Sequence, residues 1–182
     1  MRTYFVLLLR QGGTSFVEMT LAVTVLSILT ALALPSVYDL MNNSTIRSKR
    51  HALLQDIRTL RFRAISRRRP AYMCALDSEG ICASQMHWNE GWMGYIDNNL
   101  NGKYDEGDER VLQQAKSNKS FSVDIIFHAR WRNIKFDGRG ILRRSGHFRI
   151  CNPDIIEKQR MKVIRMNTFG RLAVETDTLL CN

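Results

Sequence analysis

Apolar residues crowd the start of the chain and then settle into two different periods. From Phe16 to Leu34 nearly every position is apolar, interrupted by Glu18 and several Thr and Ser. Beyond Pro35, apolar side chains recur at Val37, Leu40, Met41, Leu54, Ile57, Leu60 and Ala64, spacings that suit one face of a helix. Arg67, Arg68 and Arg69 precede Pro70. Cations complement the negative end of a helix dipole, and a residue before proline is biased away from helical dihedrals. The pattern predicts one helix from near Thr14 to near Arg68, with Pro35 and Asn42-Asn43-Ser44 as candidate kink sites.

After Pro70 the pattern changes to short runs divided by turn residues. Strands are expected over Tyr72 to Ala75, Trp92 to Ile96, Val111 to Gln113, Phe121 to Phe127, Ile134 to Phe136, His147 to Cys151, Met161 to Met166 and Arg171 to Val174. Phe121, Val123, Ile125 and Phe127 alternate with Ser122, Asp124 and Ile126, which assigns the first set to a buried face. A long helix followed by strands predicts an α+β domain, with an antiparallel sheet wrapped on the second half of the helix. A length of 182 residues suits one such domain.

Glu18 is the first residue that demands chemistry. A carboxylate buried in a bilayer costs roughly 2.5 to 3.5 kcal/mol, so it needs a partner. A cut after Gly13 would create an α-amine on Thr14, four residues before Glu18, and such an amine suits a carboxylate on a neighbouring copy. Two other readings of this stretch stand beside it. An ordinary secretory signal peptide would use Ala31-Leu32-Ala33 as its cleavage site, but it leaves Glu18 and Gly12-Gly13 unexplained. A simple membrane anchor needs about 20 apolar residues, which Phe16 to Leu34 nearly supplies.

On these residues the N-terminal part resembles the type IV pilin and type II secretion pseudopilin superfamily. Met1 to Gly13 corresponds to a short leader containing Arg2 and Arg10, Glu18 to the fifth mature position and Pro35 to the twenty-second, while Thr14 stands where Phe is usual. The later part resembles the GspH/FimT branch. The carriers are Trp88, the run Trp92-Met93-Gly94-Tyr95-Ile96-Asp97-Asn98-Asn99-Leu100-Asn101-Gly102, Gly107-Asp108-Glu109-Arg110-Val111-Leu112, Phe136-Asp137-Gly138-Arg139-Gly140, Phe148 with Cys151, and Gly170-Arg171.

The resemblance implies a type IV pilin-like fold in four parts: a leader over 1–13, a transmembrane and assembly helix over 14–35, an amphipathic continuation over 36–69, and a β-rich periplasmic domain over 70–182. It further implies a minor pilin or pseudopilin, a structural subunit of a type IV pilus or type II secretion pseudopilus. Such a subunit is held in the bacterial inner membrane and then joins a filament. Its partners are other pilins and a prepilin peptidase, which cleaves after Gly13 and methylates the Thr14 amine. The alternative is a DNA-binding minor pilin of the FimT type, serving DNA uptake in natural transformation.

Formal net charge is +10, of which a leader with two arginines and no acids would remove only a little. A polyanion or a membrane surface is the natural partner for such a surplus. Arg130, Arg132, Lys135, Arg139, Arg143, Arg144 and Arg149 form one basic group, and Lys158, Arg160, Lys162, Arg165 and Arg171 another. Cations neutralise phosphates, and interleaved Trp131 or Phe148 would stack on bases of a single strand; in the plainer reading, the cations face water and the aromatics fill the core. FimT-type DNA binders share a Gly-Arg-x-Arg element, here Gly170-Arg171-Leu172-Ala173, with Ala173 in place of the second arginine. The candidate DNA-binding residues are Arg171, Arg165, Lys162, Arg143 and Arg144.

Cys74, Cys82, Cys151 and Cys181 form an even set in a chain read as exported, so disulfides are expected. Turn residues Asp77-Ser78-Glu79-Gly80 favour Cys74 with Cys82, leaving Cys151 for Cys181; a four-cysteine zinc site and four buried thiols are the other arrangements. Asp97, Asn99, Asn101, Asp105 and Asp108 match the spacing of a calcium loop, with Asp in the last place instead of Glu, and equally the composition of a polar hairpin turn. His51, His87, His128 and His147 are scattered without a nucleophile or metal-ligand pattern, so neither enzyme activity nor a cofactor is expected.

Overall fold

The computed structural model describes residues 15–115, 123–130, 132–151 and 161–176; Gly13, Thr14, Phe121, Trp131, Lys158, Arg160 and Cys181, named above, lie outside them. Helix α1 (Phe16–Arg67) runs through Pro35 and Asn42-Asn43-Ser44 without a break. Its start has the S-x-x-E spacing of a capping box, with Ser15 just before the helix and Glu18 in the first turn. Its end is a Schellman turn: Arg68 takes a left-handed φ of 53° and donates to the Ile65 carbonyl, while Arg69 donates back to Ala64. Pro70 then prevents continuation.

The chain divides into two compact units, Met1–Met41 and Asn42–Asn182. In the first, Phe16, Val17, Met19, Leu21, Val23, Val25, Leu26, Ile28 and Leu29 are all exposed, between 54% and 82%. The hydroxyls among them are spent on the helix itself: Thr20, Thr24, Ser27 and Thr30 each donate to a backbone carbonyl three or four residues back. Among the described residues no helix is long and apolar enough to cross a membrane.

Among the described residues the second unit contains nine strands: β1 (Ala71–Leu76), β2 (Cys82–Ala83), β3 (Gly91–Ile96), β4 (Glu109–Ala115), β5 (Asp124–His128), β6 (Ile134–Phe136), β7 (Gly146–Cys151), β8 (Lys162–Met166) and β9 (Leu172–Thr176). All pairings are antiparallel, but they form two sheets where one is expected from the sequence. One has the order β2-β1-β3-β4 with β6 also on β1, and the other β5-β7-β8-β9. Periodicity reveals which face of a strand is buried; it carries no information about which strands are neighbours. The two-residue β2 is too short to show any period.

Both sheets contribute to one core on the second half of α1. Leu53, Ile57, Leu60 and Ala64 meet Met73, Trp92, Ile96 and Phe136 of the first sheet and Phe127, Phe148, Ile164 and Met166 of the second. Trp88 packs edge-on against Phe127 and Phe148, its ring centre 5.5 and 4.9 Å from theirs. Burying each large apolar side chain stabilises the fold by about 1.5 to 3 kcal/mol. Ile125 and Phe127 are buried, with Val123 partly so, as the alternation predicts.

Candidate functional site

Glu18 lies exposed on the first turn of α1, where a carboxylate also complements the positive end of the helix. It therefore has a local role whether or not a partner reaches it. Around it exposed apolar side chains dominate the helix surface, and the hydroxyls of Thr20, Thr24, Ser27 and Thr30 donate to the helix's own carbonyls.

Near the other end of α1, Arg61 ties two turns of the domain together. Its Nε donates to the Gly140 carbonyl at 2.9 Å, its Nη2 to Phe169 at 2.9 Å and its Nη1 to Gly170 at 3.3 Å. Gly140 and Gly170 have φ of 74° and 71°, and a Cβ on either would come within 2.8 Å of Ile65 or Arg61. The turn Asp137-Gly138-Arg139-Gly140 is closed by Asp137 Oδ1, which accepts from the N–H groups of Arg139 and Ile141 at 2.9 and 3.0 Å. Burial pushes the Asp137 carboxyl up, but those N–H groups and the Arg139 guanidinium outweigh it, leaving it below its ordinary 3.8. Gly170, singled out with Arg171 as a DNA element, thus has a packing role of its own.

The basic candidates do not form one surface. Arg143 and Arg144 are exposed and line a cleft of about 530 Å³ with Tyr72, Gly102, Asn133 and Lys135. Arg171 is exposed in a different groove, beside Arg58, Phe62 and Ile65 of α1. Arg165 is paired with Glu175 at 2.7 Å, and Lys162 donates to Thr176 at 2.9 Å. Phe148 is fully buried in the core, unavailable to a base.

In the segment with calcium-loop spacing, the carboxylates are taken up by N–H groups. Asp97, 1% exposed, accepts from the backbone of Asn101 and Gly102, and Asp108 from that of Asn98 and Asp105. Asn99 and Asn101 donate their side-chain amides to Asp105. These contacts are those of a polar hairpin turn between β3 and β4. Among the described residues no group of three or more His, Cys, Asp or Glu is placed to hold a metal ion.

Cys74 and Cys82 are joined in a disulfide with their Cα atoms 5.6 Å apart. Asp77 organises the intervening turn by accepting from the N–H groups of Glu79 and Ile81. Cys151 is buried at the end of β7, while Cys181 lies outside the described residues. Sequence reasoning did not single out Arg61, Asn133 or Tyr72. Arg61 gave a signal, since it sits next to the buried positions Ile57, Leu60 and Ala64; the other two gave none.

Two crystal forms of the type IV minor pilin FimU of Pseudomonas aeruginosa share this fold. One has a TM-score of 0.57 at 16% identity, covering 73% of this chain and 90% of that one; the other has a TM-score of 0.53 at 18% identity, covering 71% and 91%. No curated protein matches the chain. The type II transport protein GspH family matches residues 50–170, which include the Arg61 clamp, the disulfide-closed hairpin and strands of both sheets; the chain belongs to that family.

Proposed function

We propose that the chain is a minor pilin or pseudopilin, a structural subunit of a type IV pilus or a type II secretion pseudopilus that acts by packing. The observation that carries this reading is the exposed apolar start of α1, with hydroxyls satisfied internally and a single carboxylate at Glu18. A surface of this kind is stable only in lipid or among other apolar helices. Family membership and the shared FimU fold support the same reading. In this account a prepilin peptidase cleaves after Gly13 and methylates the Thr14 amine. The 14–35 helix waits in the inner membrane with its domain in the periplasm, and Glu18 then pairs with an N-terminal amine in the filament. Glu18→Ala is expected to insert into the membrane normally and fail to enter filaments; wild-type incorporation would overturn the role.

A DNA receptor is the second reading, and exposed Arg171 is the observation that favours it. DNA binding measured against salt, with Arg171→Ala alongside, tests it: binding unchanged by the substitution removes its support.

A further inference from the structure

The chain contains one Asn-Gly step, Asn101-Gly102, in the turn between β3 and β4. An Asn-Gly step is the most open to cyclisation, because glycine has no side chain to shield its nitrogen or to restrict the backbone. In that reaction the Gly102 nitrogen bonds to Asn101 Cγ and loses its proton to water. The Cγ–Nδ2 bond breaks, and ammonia leaves after taking a proton from water. Water then opens the cyclic imide, giving aspartate or isoaspartate at 101. Asn101 is exposed, so water reaches it.

The turn nevertheless restrains the groups that would react. Asp97, 1% exposed, accepts from the Gly102 N–H at 2.9 Å through Oδ2 and from the Asn101 N–H at 3.2 Å through Oδ1. One buried carboxylate therefore fixes the backbone nitrogens before and after the Asn101 α-carbon, and turning the Gly102 nitrogen toward Cγ breaks a charge-assisted hydrogen bond. The carboxamide is tied as well: its Oδ1 accepts from the Lys103 N–H at 2.7 Å, and its Nδ2 donates to Asp105. Ring closure needs the reacting atoms in a near-attack arrangement, which these bonds oppose. We propose that Asn101 is a latent deamidation site, kept unreacted in the folded protein by Asp97 and released when the turn opens. Reaction there replaces the amide that donates to Asp105 by a second anion, so the turn loses a bond and gains a like-charge contact.

The test incubates the full chain in nonionic detergent at mildly alkaline pH and follows the peptide containing residue 101 by mass spectrometry after digestion in acid. Wild type is expected to react at least about tenfold more slowly folded than in urea, the equivalent of one hydrogen bond to a charged acceptor. Asp97→Ala should recover most of that difference in the folded protein. Asp108→Ala removes the same charge from the same turn, but it takes acceptors from Asn98 and Asp105 and not from Gly102, so a smaller rise is expected. Equal rises would show that loss of charge or general loosening is sufficient, and would overturn the proposal. So would equal wild-type rates in buffer and in urea, or slower reaction in Asp97→Ala, which would make the carboxylate a base for the reaction. Should a thermal melt show Asp97→Ala to be unfolded, Asp97→Asn takes its place. Its neutral oxygen holds an N–H about half as strongly, so the rate should still rise, and an unchanged rate overturns the proposal equally. Asn101→Asp, the product made in advance, should melt at a lower temperature than wild type; an unchanged melt would overturn the coupling to Asp105.

Discussion

Arg61 holds Gly140 across the domain, its Nε 2.9 Å from the glycine carbonyl, and the same guanidinium reaches Phe169 and Gly170. Two turns far apart in sequence are thereby fastened to one side chain of α1. Hydrogen bonds to a charged donor contribute about 1.5 to 3 kcal/mol each before coupling, and part of that is lost where the group is solvated. Arg61→Met is expected to lower unfolding stability by about 2 to 3 kcal/mol in a thermal or urea melt. Arg61→Lys should recover only part of this, because an ammonium cannot span three carbonyls in a planar fork.

Gly138 lies against the end of α1 so closely that a Cβ would stand 2.7 Å from the carbonyl carbon and oxygen of Arg68. Backbone cannot move aside as a side chain does, so Gly138→Ala should destabilise by about 1 to 3 kcal/mol. Arg68 itself bears the cost of a left-handed conformation. Arg68→Gly is expected to raise stability by about 0.5 to 1 kcal/mol, since relief of that cost exceeds the added chain entropy. It should not rescue Gly138→Ala, because the clash is with backbone. Rescue in the double variant would show that the Arg68 side chain, and not its carbonyl, sets the contact.

The disulfide closes a hairpin with a sequence separation of 8 between its cysteines. Constraining a loop of that size in the unfolded chain stabilises the fold by about 2 to 3 kcal/mol. Replacing both cysteines by alanine should lower the melting temperature by a corresponding amount and leave the urea m-value little changed; a markedly smaller effect would mean that the Asp77 turn alone holds the hairpin.

Where an element has a period it was legible in the chain: Leu53, Ile57, Leu60 and Ala64 mark one helix face, and Ile125 and Phe127 one strand face, whereas β1 and β3 are buried at every position and were legible only as short apolar runs between turn residues. The separation into two sheets was not, since pairing joins residues such as Met73 and Ile134 that share no local pattern. At the candidate site, charge was legible and arrangement was not. Arg143, Arg165 and Arg171 read alike as letters, yet one lines a cleft, one is paired to Glu175 and one lies in a groove on α1. Tyr72 meets Lys135 only through the β1–β6 register that places the two opposite each other.

Asp56 on α1 accepts a 2.8 Å hydrogen bond from Trp92 Nε1, joining the helix to the first sheet. Burial raises its carboxyl above the ordinary 3.8, with the indole N–H opposing in part. The folded state then binds the proton more readily than the unfolded state. This contribution to stability is greatest below pH 3.8 and declines as pH rises through the folded-state value. Asp56→Asn keeps an oxygen for Trp92 but cannot ionise. Its stability relative to wild type should therefore improve as pH rises through that window and stay constant at neutral pH. Asp56→Leu should lose about 1 to 3 kcal/mol, because it strands the buried indole N–H. Asp137 works in the opposite direction: its depressed carboxyl stabilises the fold above pH 3.8 and ceases to do so as pH falls through a still lower value. Paired urea titrations of wild type and Asp56→Asn across the acid range separate the two groups. Parallel curves would mean that Asp56 titrates as an exposed carboxylate, and that the Trp92 contact contributes geometry without charge coupling.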